Sequence, residues 1–421
     1  MATDVDVQYF SHLNGLTLGN NWGDLIRLLD KALVTGIDFT QITAASIDPQ
    51  GNVHIRLYAA HNAMLFQVVE LSGYSPASLN QKYRIKGVPS TTELILKPAL
   101  DIAERSITAI GAGKLASLGY EIIFRDANDV KRVYRAKNPA AQHPFIRVDE
   151  SLTSPDGTTG VYTSSYAKYA MVGLLEHMDH IDDYENTDVL QLPFDSIDPA
   201  KNWKISGTGA SVVRGWSRWH WNRGGSGYSN TTDSNATTSG NRPFVSCGDK
   251  DAFFLNIQIG GNAGFQTLRG CGLYKSNIDN DLTPPWFLCT YLTTNSAGVV
   301  SGGVAEYFTP LSVNTNAGKF LIPKYLQAVG VKHTSATPLA YNLASGVGNP
   351  FGGTDAPALS YPFKDADNYL RGTLPHVNYS GRQIISTPSP IQSSNSLYLG
   401  DAIGVDSAGR GTILFYLGEL E

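Results

Sequence analysis

The stretch YEIIFRDANDVKRVYR, residues 120–135, carries the clearest structural signal in this chain. Two runs rich in β-branched and aromatic side chains, 120–124 and 132–135, flank the turn-forming residues 126–129. Two such runs joined by a short Asp- and Asn-containing turn predict an antiparallel β-hairpin. The hairpin therefore indicates that a β-rich unit surrounds it.

Alternating runs extend this pattern in both directions along the chain. Residues 53–58 alternate with period two, and residues 92–97 predict another strand before Pro98 ends it. The runs 253–259 and 413–417 have the pattern of half-buried antiparallel strands. Because the chain also has 42 glycines and 21 prolines, it favours many short strands joined by turns. The sequence predicts a mainly β fold with an antiparallel, sandwich-like body.

One amphipathic helix is predicted near the N terminus. Leu25, Leu29 and Leu33 belong to a set of apolar residues at helical spacing, and Gly36 supplies a C-terminal stop. We expect this helix to dock on a sheet. Residues 169–181 fit a helix and an alternating strand equally well, so the sequence leaves that segment open.

The length predicts more than one structural unit. A chain of 421 residues exceeds the usual domain size of roughly 100–200 residues. We predict a helix-plus-sheet domain over residues 1–110 and a β-rich, sandwich-like body over residues 111–421. A hinge is expected at residues 111–113, and a further boundary inside the body near 315–320.

Charge and cysteine content argue against several classes of protein. The net charge of −5 gives no general attraction to phosphate backbones, so nucleic acid is not the expected partner. Charged residues make up only 16% of the chain, below the roughly 25% of average globular proteins. Much of the surface is then uncharged or lies in contacts, which favours assembly. Three cysteines without a CxxC pair argue against a disulfide framework or a zinc site.

No targeting or membrane segment is expected. The first residues, MATDVDVQYF, contain neither a basic region nor an apolar core typical of a signal peptide. No run approaches the roughly 18 apolar residues that a membrane span needs. The sequence thus predicts a protein made in the cytoplasm, without membrane insertion.

Motifs for catalysis or cofactor binding are weak. His177, Asp179 and His180 could face a metal ion, but an HxxH without a distant third ligand is more often a polar surface patch. The acidic residues that follow are interpreted as a solvated turn. Neither a GxSxG elbow nor a GxxxxGK[ST] loop occurs. We predict no catalytic residue, metal or cofactor, although a carboxylate pair for glycosidic cleavage depends on spacing in three dimensions.

The most distinctive local feature is the aromatic and cationic strip RGWSRWHWNR, residues 214–223. In a strand, Trp219 and Trp221 share one face while Trp216 lies opposite. The favoured interpretation is a buried Trp pair with arginines at the rim or in a subunit contact. The alternative is a surface that stacks sugars or bases. The candidate subunit or glycan contact residues are Arg214, Trp216, Arg218, Trp219, Trp221 and Tyr228.

Two polar loops accompany this strip, residues 224–241 and 343–357. Their Gly-, Ser-, Thr- and Asn-rich composition cannot bury enough apolar surface to fold alone. They need a partner surface or stay mobile. The loop at 224–241 is therefore predicted, with the strip, to form contacts.

The order of several short segments resembles a family of virion structural proteins of tailed bacteriophages, found among tail-associated genes. Each segment is short, so their collinear order over most of the chain carries the resemblance. This sequence departs from the family pattern at residues 224–241 and 177–183. The matching segments are NWGDL at 21–25, LDKALVTG at 29–36, VYR at 133–135, FIRVDE at 145–150, CGD at 247–249, AFFL at 252–255, GCG at 270–272 and LRGTLP at 370–375.

The resemblance implies a β-rich particle component without a known catalytic centre, present in many copies through symmetric contacts. It transfers no functional residues. We expect a structural component of the virion in the tail, baseplate or a fibre adaptor, with copies of itself and other virion proteins as partners. The alternatives are a capsid decoration protein and a module that recognises host-surface glycans. A glycan-degrading enzyme ranks behind both.

Overall fold

The computed structural model describes residues 3–138, 142–154, 162–209, 212–224, 233–234, 237–258, 266–279, 283–292, 319–328, 331–338, 359–379, 387–404 and 411–420. Strands account for 49% of the structure and helical segments for 7%. The predicted mainly β, antiparallel fold is therefore confirmed. In the described part of the chain, no helix is long and apolar enough to cross a membrane.

The strands follow one another closely along the chain. The first ten are β1 (Gln8–Ser11), β2 (Ile37–Asp38), β3 (Ile42–Ile47), β4 (Val53–Leu57), β5 (Val68–Ser72), β6 (Lys82–Ser90), β7 (Glu93–Pro98), β8 (Ala112–Leu115), β9 (Tyr120–Arg125) and β10 (Lys131–Ala136). The next ten are β11 (Phe145–Asp149), β12 (Lys168–Leu175), β13 (Gln191–Leu192), β14 (Ile205–Ser206), β15 (Val213–Arg214), β16 (Ser217–Asn222), β17 (Phe244–Gly248), β18 (Ala252–Ile257), β19 (Thr267–Leu273) and β20 (Lys275–Ser276). The remainder are β21 (Trp286–Cys289), β22 (Tyr291–Leu292), β23 (Phe320–Ala328), β24 (Val331–Pro338), β25 (Leu359–Asp365), β26 (Leu370–Tyr379), β27 (Ser389–Ser393), β28 (Ser396–Ile403) and β29 (Gly411–Glu419).

Among the described residues, these strands form three extended antiparallel sheets and one short pair. The N-terminal sheet has the order β2-β8-β5-β6-β7-β4-β3. The central sheet has the order β22-β16-β12-β11-β10-β9, with β13 paired to β12. The large sheet runs β1-β17-β18-β19-β21-β23-β24-β25-β26-β29-β28-β27, with β20 paired to β26. Strands β14 and β15 pair with each other.

The helical segments are short. Helix α1 (Asp24–Leu29) continues into a π-helical segment, Asp30–Thr35, that ends at Gly36. Leu25, Leu29 and Leu33 are fully buried, so the predicted amphipathic helix and its stop are confirmed. Three 3-10 segments complete the set in the described chain: His12–Asn14, Ala77–Leu79 and Pro199–Asn202.

The hairpin predicted at 120–135 is formed by β9 and β10, which pair antiparallel. The Asp126 carboxylate fixes the turn by accepting hydrogen bonds from the Val130 and Lys131 amides at 2.9 and 2.7 Å. The segment left open at 169–181 contains strand β12, and all eight residues of that strand are buried. Because both faces of β12 are covered, its sequence lacks the clear alternation of a half-exposed strand.

The predicted half-buried strand near 253–259 is buried on both faces, which corrects that expectation. Strand β18 packs Phe253 against Trp219 of the central sheet, with ring centroids 6.0 Å apart. Its opposite face places Phe254 against Phe287 at 5.2 Å. The large and central sheets therefore stack face to face through this strand, as in a sandwich.

The predicted hinge at residues 111–113 is wrong. Ala112 and Gly113 belong to β8, where they pair with Ser72 and Leu71 of β5. A Cβ on Gly111 would lie 1.9 Å from the Ser72 carbonyl oxygen, so a close backbone approach accounts for the glycine there.

The division into domains stays a prediction. The N-terminal sheet extends to Leu115, and one hydrophobic cluster runs from Ile55 in that sheet through Leu29 of α1 to Trp219 in the central sheet. The further boundary near 315–320 falls largely outside the described residues.

Candidate functional site

The predicted contact strip lies inside the molecule. Strand β16 carries most of it and is flanked by β12 and β22 in the central sheet. Trp219 and Trp221 are fully buried, and Trp216 keeps only 6% of its surface exposed. The Trp219 indole N–H donates to the Cys289 carbonyl oxygen at 3.1 Å. These residues confirm the favoured interpretation of a buried Trp pair.

The arginines of the strip are buried too, rather than placed at a rim. Arg214 and Arg218 expose 0% and 1% of their surfaces. Side chains this deeply enclosed offer almost nothing to a glycan or to a second subunit. The expectation that the strip itself forms the contact is therefore corrected: it holds the central sheet together. The remaining candidate, Tyr228, lies outside the described residues.

Arg214 binds backbone carbonyl groups from two neighbouring segments. Its guanidinium donates to the carbonyl oxygens of Asp149, Ser151 and Tyr169 at 2.8, 2.7 and 2.5 Å. The guanidinium also lies 5.0 Å from the centroid of a Trp22 ring and 4.9 Å from that of Tyr169. A planar cation with several donors suits this position, where three carbonyls and two aromatic faces converge. Arg214 thereby joins β15 to β12 and to the end of β11.

Arg218 forms a buried ion pair with Asp233, both side chains being about 1% exposed. Burial opposes ionisation of the Asp233 carboxyl, but the combined effects of Arg218, His220 and Arg223 outweigh it and hold the pKa of Asp233 well below its usual range. The Asp233 carbonyl oxygen accepts from the Ala167 amide at 2.8 Å and from the Tyr162 hydroxyl at 3.3 Å. The polar loop at 224–241 is thus attached to the core at this residue.

The sequence analysis did not predict the ion pair between Asp233 and Arg218 that attaches the loop to the core. Asp233 is the only acidic residue between Gly224 and Asn241, in a stretch otherwise of small and polar residues. A single acid in such a loop, close in sequence to Arg218 and Arg223, was the available signal. Most of the loop at 224–241 and all of the loop at 343–357 lie outside the described residues.

A second buried acid, Glu150, fixes helix α1 to the central sheet. Its carboxylate accepts from the Gly23 amide and, at 2.8 Å, from the Ile26 amide. Burial raises the pKa of Glu150 to about 7, although the two backbone donors favour the charged form. Asp24 accepts from the Gly19 and Asn21 amides at 3.0 and 2.9 Å, which orders the chain just before the helix.

The histidine patch considered for metal binding is on the surface. The side chains of His177 and Asp179 are 60% and 79% exposed, and His177 Nε2 lies 3.0 Å from Asp179 Oδ1. Asp182 in the same stretch instead pairs with Arg147 at 2.6 Å and with Lys131 at 2.9 Å. Asp182 therefore stabilises the central sheet, which the prediction of a solvated turn did not include. Within the described residues, no group of three or more His, Cys, Asp or Glu side chains is placed to hold a metal ion.

The three cysteines are free and buried. Burial raises the thiol pKa of Cys247, Cys271 and Cys289 well above its usual value. Thiols held in the neutral form behave as small apolar side chains. They therefore pack the core of the large sheet.

An open groove of about 330 Å³ crosses the outer face of the N-terminal sheet. Arg56 Nε lies 3.9 Å from Glu93 Oε1, and the side chains are 64% and 44% exposed. His54 Nε2 lies 3.2 Å from Asp48 Oδ2 at one end. The groove reaches the edge strand β3. Its lining residues are Ala44, Ala45, Ser46, His54, Ile55, Arg56, Pro89, Glu93, Leu94 and Ile95.

We compared the chain with protein families, curated proteins and solved structures. No protein-family model matches the chain, and no curated protein matches it. Among solved structures, the chain is similar to the phage phi92 endosialidase, with 8% sequence identity over 92% of this chain and 51% of that chain and a TM-score of 0.14. The chain spans about half the length of that endosialidase chain. Similarity at this level carries no argument about activity.

Proposed function

We propose that this protein is a structural component of a tailed-bacteriophage virion, associated with the tail, that acts through symmetric contacts with copies of itself and with other virion proteins. The proposal rests on the collinear sequence resemblance and on one structural observation. That observation is the placement of charged side chains inside the fold.

Among the residues that the structure describes, ten Lys and Arg side chains are buried, against six Asp and Glu side chains. Lys and Arg are almost never fully buried unless they are paired. The buried basic residues are Arg84, Arg132, Arg147, Lys168, Arg214, Arg218, Arg223, Arg242, Arg269 and Arg371. The charged side chains that the fold encloses are therefore mostly basic.

The buried arginines connect segments that are distant in sequence. Arg84 donates to the carbonyl oxygens of Val7, Phe66 and Leu417 at 2.9, 2.8 and 2.7 Å. Arg371 pairs with Asp365 at 3.1 Å and donates to the Pro323 carbonyl oxygen at 3.1 Å. Such bonds favour a rigid scaffold, because each guanidinium fixes several backbone groups at once. A low content of charged residues, 16% of the sequence, and a rigid β scaffold suit a protein that packs against neighbours in a particle.

We assign this chain no catalytic residue and no cofactor, and we propose the virion as its location. Its synthesis takes place in the infected cell, and assembly brings it into the particle. Host-surface glycan binding is not proposed, because the three tryptophans expected to stack on sugars, Trp216, Trp219 and Trp221, are buried.

Immunogold electron microscopy of intact particles, with antibody against this chain, tests the proposal. We expect label along or at the end of the tail. Label confined to the head would replace the tail assignment with capsid decoration. The virion function would be rejected if intact particles carried no label and denatured particles also failed to react with the antibody.

A further inference from the structure

One contact between the large and central sheets depends on the protonation state of a histidine. His333 lies in β24 of the large sheet, where it pairs with Pro323 of β23. Its ring Nδ1 accepts a hydrogen bond from the Phe194 amide at 3.2 Å. Phe194 follows β13, which belongs to the central sheet. The imidazole of His333 therefore bridges the two sheets.

The direction of this hydrogen bond fixes the protonation state of the ring. A backbone N–H can only donate, so Nδ1 must carry a lone pair and the proton of the neutral ring must be on Nε2. An imidazolium carries a proton on both nitrogens and has no acceptor. A protonated His333 would direct an N–H at the Phe194 N–H, so the contact would have to open.

The residues around the ring also favour its neutral form. Phe194 and Trp216 are buried, and the Trp216 ring makes a T-shaped contact with the His333 ring, with centroids 5.5 Å apart. Lys201 Nζ lies 4.2 Å from the centroid of the Trp216 ring. A second cation at His333 would lose water and be repelled by Lys201.

Two charged groups act on His333, and they oppose each other. Asp195, in the loop after β13, favours the imidazolium, whereas Lys201, in the 3-10 segment that follows, disfavours it. Asp195 already pairs with Lys201 at 2.7 Å. Pro323 and Trp216, the neighbours on β23 and β16, carry no charge. Burial has the largest effect and, against Asp195 and together with Lys201, lowers the pKa of His333 from 6.5 to about 4.

The pairing that holds β23 and β24 to the strands on the β21 side is short. Strand β23 pairs with β21 at one position, Leu288 with Leu321. On the side of the central sheet, β13 lies against both β23 and β24. Loss of the His333 contact should therefore open β24 and the segment after β13 locally, without unfolding the rest of the protein.

We propose that His333 is an acid-sensitive joint between the two sheets: its neutral form holds β24 against the segment after β13, and the gain of a proton opens this contact. This inference goes beyond the proposed function and does not depend on it. The closed contact excludes the proton, whereas a solvated His333 has the ordinary pKa of about 6.5. Opening is therefore disfavoured above about pH 6.5 and becomes easier as the pH falls toward about 4.

Hydrogen exchange of the purified full chain, followed by mass spectrometry, tests the joint. Protection factors, corrected for the intrinsic pH dependence of exchange, are compared at about pH 7.5 and about pH 5 in peptides covering residues 190–197 and 331–338. We expect both segments of the wild type to lose protection on the order of 10-fold at the lower pH, because the open form binds a proton that the closed form excludes. The hairpin at 120–135 is the internal reference and should change by less than about 2-fold.

His333→Asn keeps an acceptor at the position of Nδ1 but cannot gain a proton there. Protection of both segments in this variant should be the same at the two pH values. His177→Asn, at a side chain that is 60% exposed, is the matched control and should lose protection as the wild type does. A wild-type chain whose protection in these segments is independent of pH would overturn the proposal. So would an equal loss in His333→Asn, which would show that other groups open the contact.

A second variant leaves the histidine in place. Lys201→Met removes the charge that opposes protonation of His333, so the closed form accepts a proton more readily. The pH-dependent loss of protection should then be smaller than in the wild type. If His333→Asn fails to fold, an undiminished loss in Lys201→Met overturns the proposal.

Discussion

Buried charged side chains are the positions at which a single substitution should lower the free energy of unfolding most. Arg218 and Asp233 are enclosed together, and Asp401 lies buried among Asn256 and Gln266. Removing one partner of a buried ion pair leaves the other charge desolvated and unpaired, which costs more than the pair itself contributes. Single substitutions at these positions should therefore have large and specific effects.

Asp233→Asn should destabilise the protein strongly. The substitution leaves the Arg218 charge buried without its counter-charge, so we expect the free energy of unfolding to fall by about 3–5 kcal/mol. Urea denaturation measures this change. Asp179→Asn removes a carboxylate that is 79% exposed and should cost less than about 0.5 kcal/mol. A loss at Asp233 as small as that at Asp179 would contradict the buried ion pair.

Asp401 should make stability depend on pH. Burial raises its pKa to about 7, against the opposing effect of the Asn256, Ala402 and Gln266 donors. The pKa of Asp401 is higher in the folded protein than in the unfolded chain. Its contribution to the free energy of unfolding is therefore fully present below about pH 4 and is lost as the pH rises through about 7. Asp401→Asn, which cannot ionise, should gain on the order of 2 kcal/mol relative to wild type between about pH 5 and pH 8.

Urea unfolding at several pH values measures this relative gain. The control Asp101→Asn changes an exposed carboxyl, so its profile should run parallel to that of the wild type. If the Asp401→Asn profile also ran parallel, the carboxyl would not be titrating in the folded protein over this range.

Strands and turns depend on glycine at a few tight positions. Gly215 precedes β16 with a φ of +68°, and a Cβ there would lie 2.4 Å from the Met171 Cγ and 2.8 Å from the Asn202 carbonyl oxygen. Only glycine adopts this backbone conformation readily while leaving the space open. The position sets the path of the chain from β15 into the buried strip.

Gly215→Ala should lower the free energy of unfolding by about 3 kcal/mol or more, from backbone strain together with overpacking. Gly209 is the matched control, because its φ is +55° and no atom lies within 4 Å of its Cβ position. Gly209→Ala should cost about 1 kcal/mol, from strain alone. Chemical denaturation of both variants separates the cost of backbone strain from the cost of overpacking. Equal losses in the free energy of unfolding would show that the contact with Asn202 and Met171 has no effect.

The elements that the sequence predicted correctly are those with a strong local signal. The hairpin at 120–135 combined alternation with a turn, and the helix near Leu25 combined periodicity with the stop at Gly36. Strand β12 could not be assigned, since burial on both faces removes alternation. Strand β3 was missed because Ala44, Ala45 and Ser46 have little β propensity. The ion pair of Arg218 with Asp233 was missed because tertiary structure, rather than local sequence, joins them.

The molecule as a whole is held by contacts between segments far apart in sequence. Arg84 joins the N-terminal segment, the N-terminal sheet and the C-terminal strand β29 through carbonyl groups of Asp4, Val7, Phe66 and Leu417. The N-terminal residues, which local sequence patterns left without a role, thus help to close the fold.

Arg84→Met should loosen this closure. The change leaves buried carbonyl groups without donors, so we expect a loss of about 3 kcal/mol or more in the free energy of unfolding. Hydrogen exchange should rise most in β1 and β29. Arg125→Met, where the side chain is 52% exposed and its ion pairs are 3.5 and 3.7 Å long, should cost less than about 1 kcal/mol. Unchanged exchange at β29 would argue against a joining role for Arg84.

Quantitative mass spectrometry of purified phage particles tests whether the whole molecule is a virion building block. We expect peptides of this chain in intact particles at a fixed ratio to the other structural proteins, corresponding to many copies per particle. Recovery of the chain only in the soluble fraction of the lysate, with none in purified particles, would contradict the proposed function.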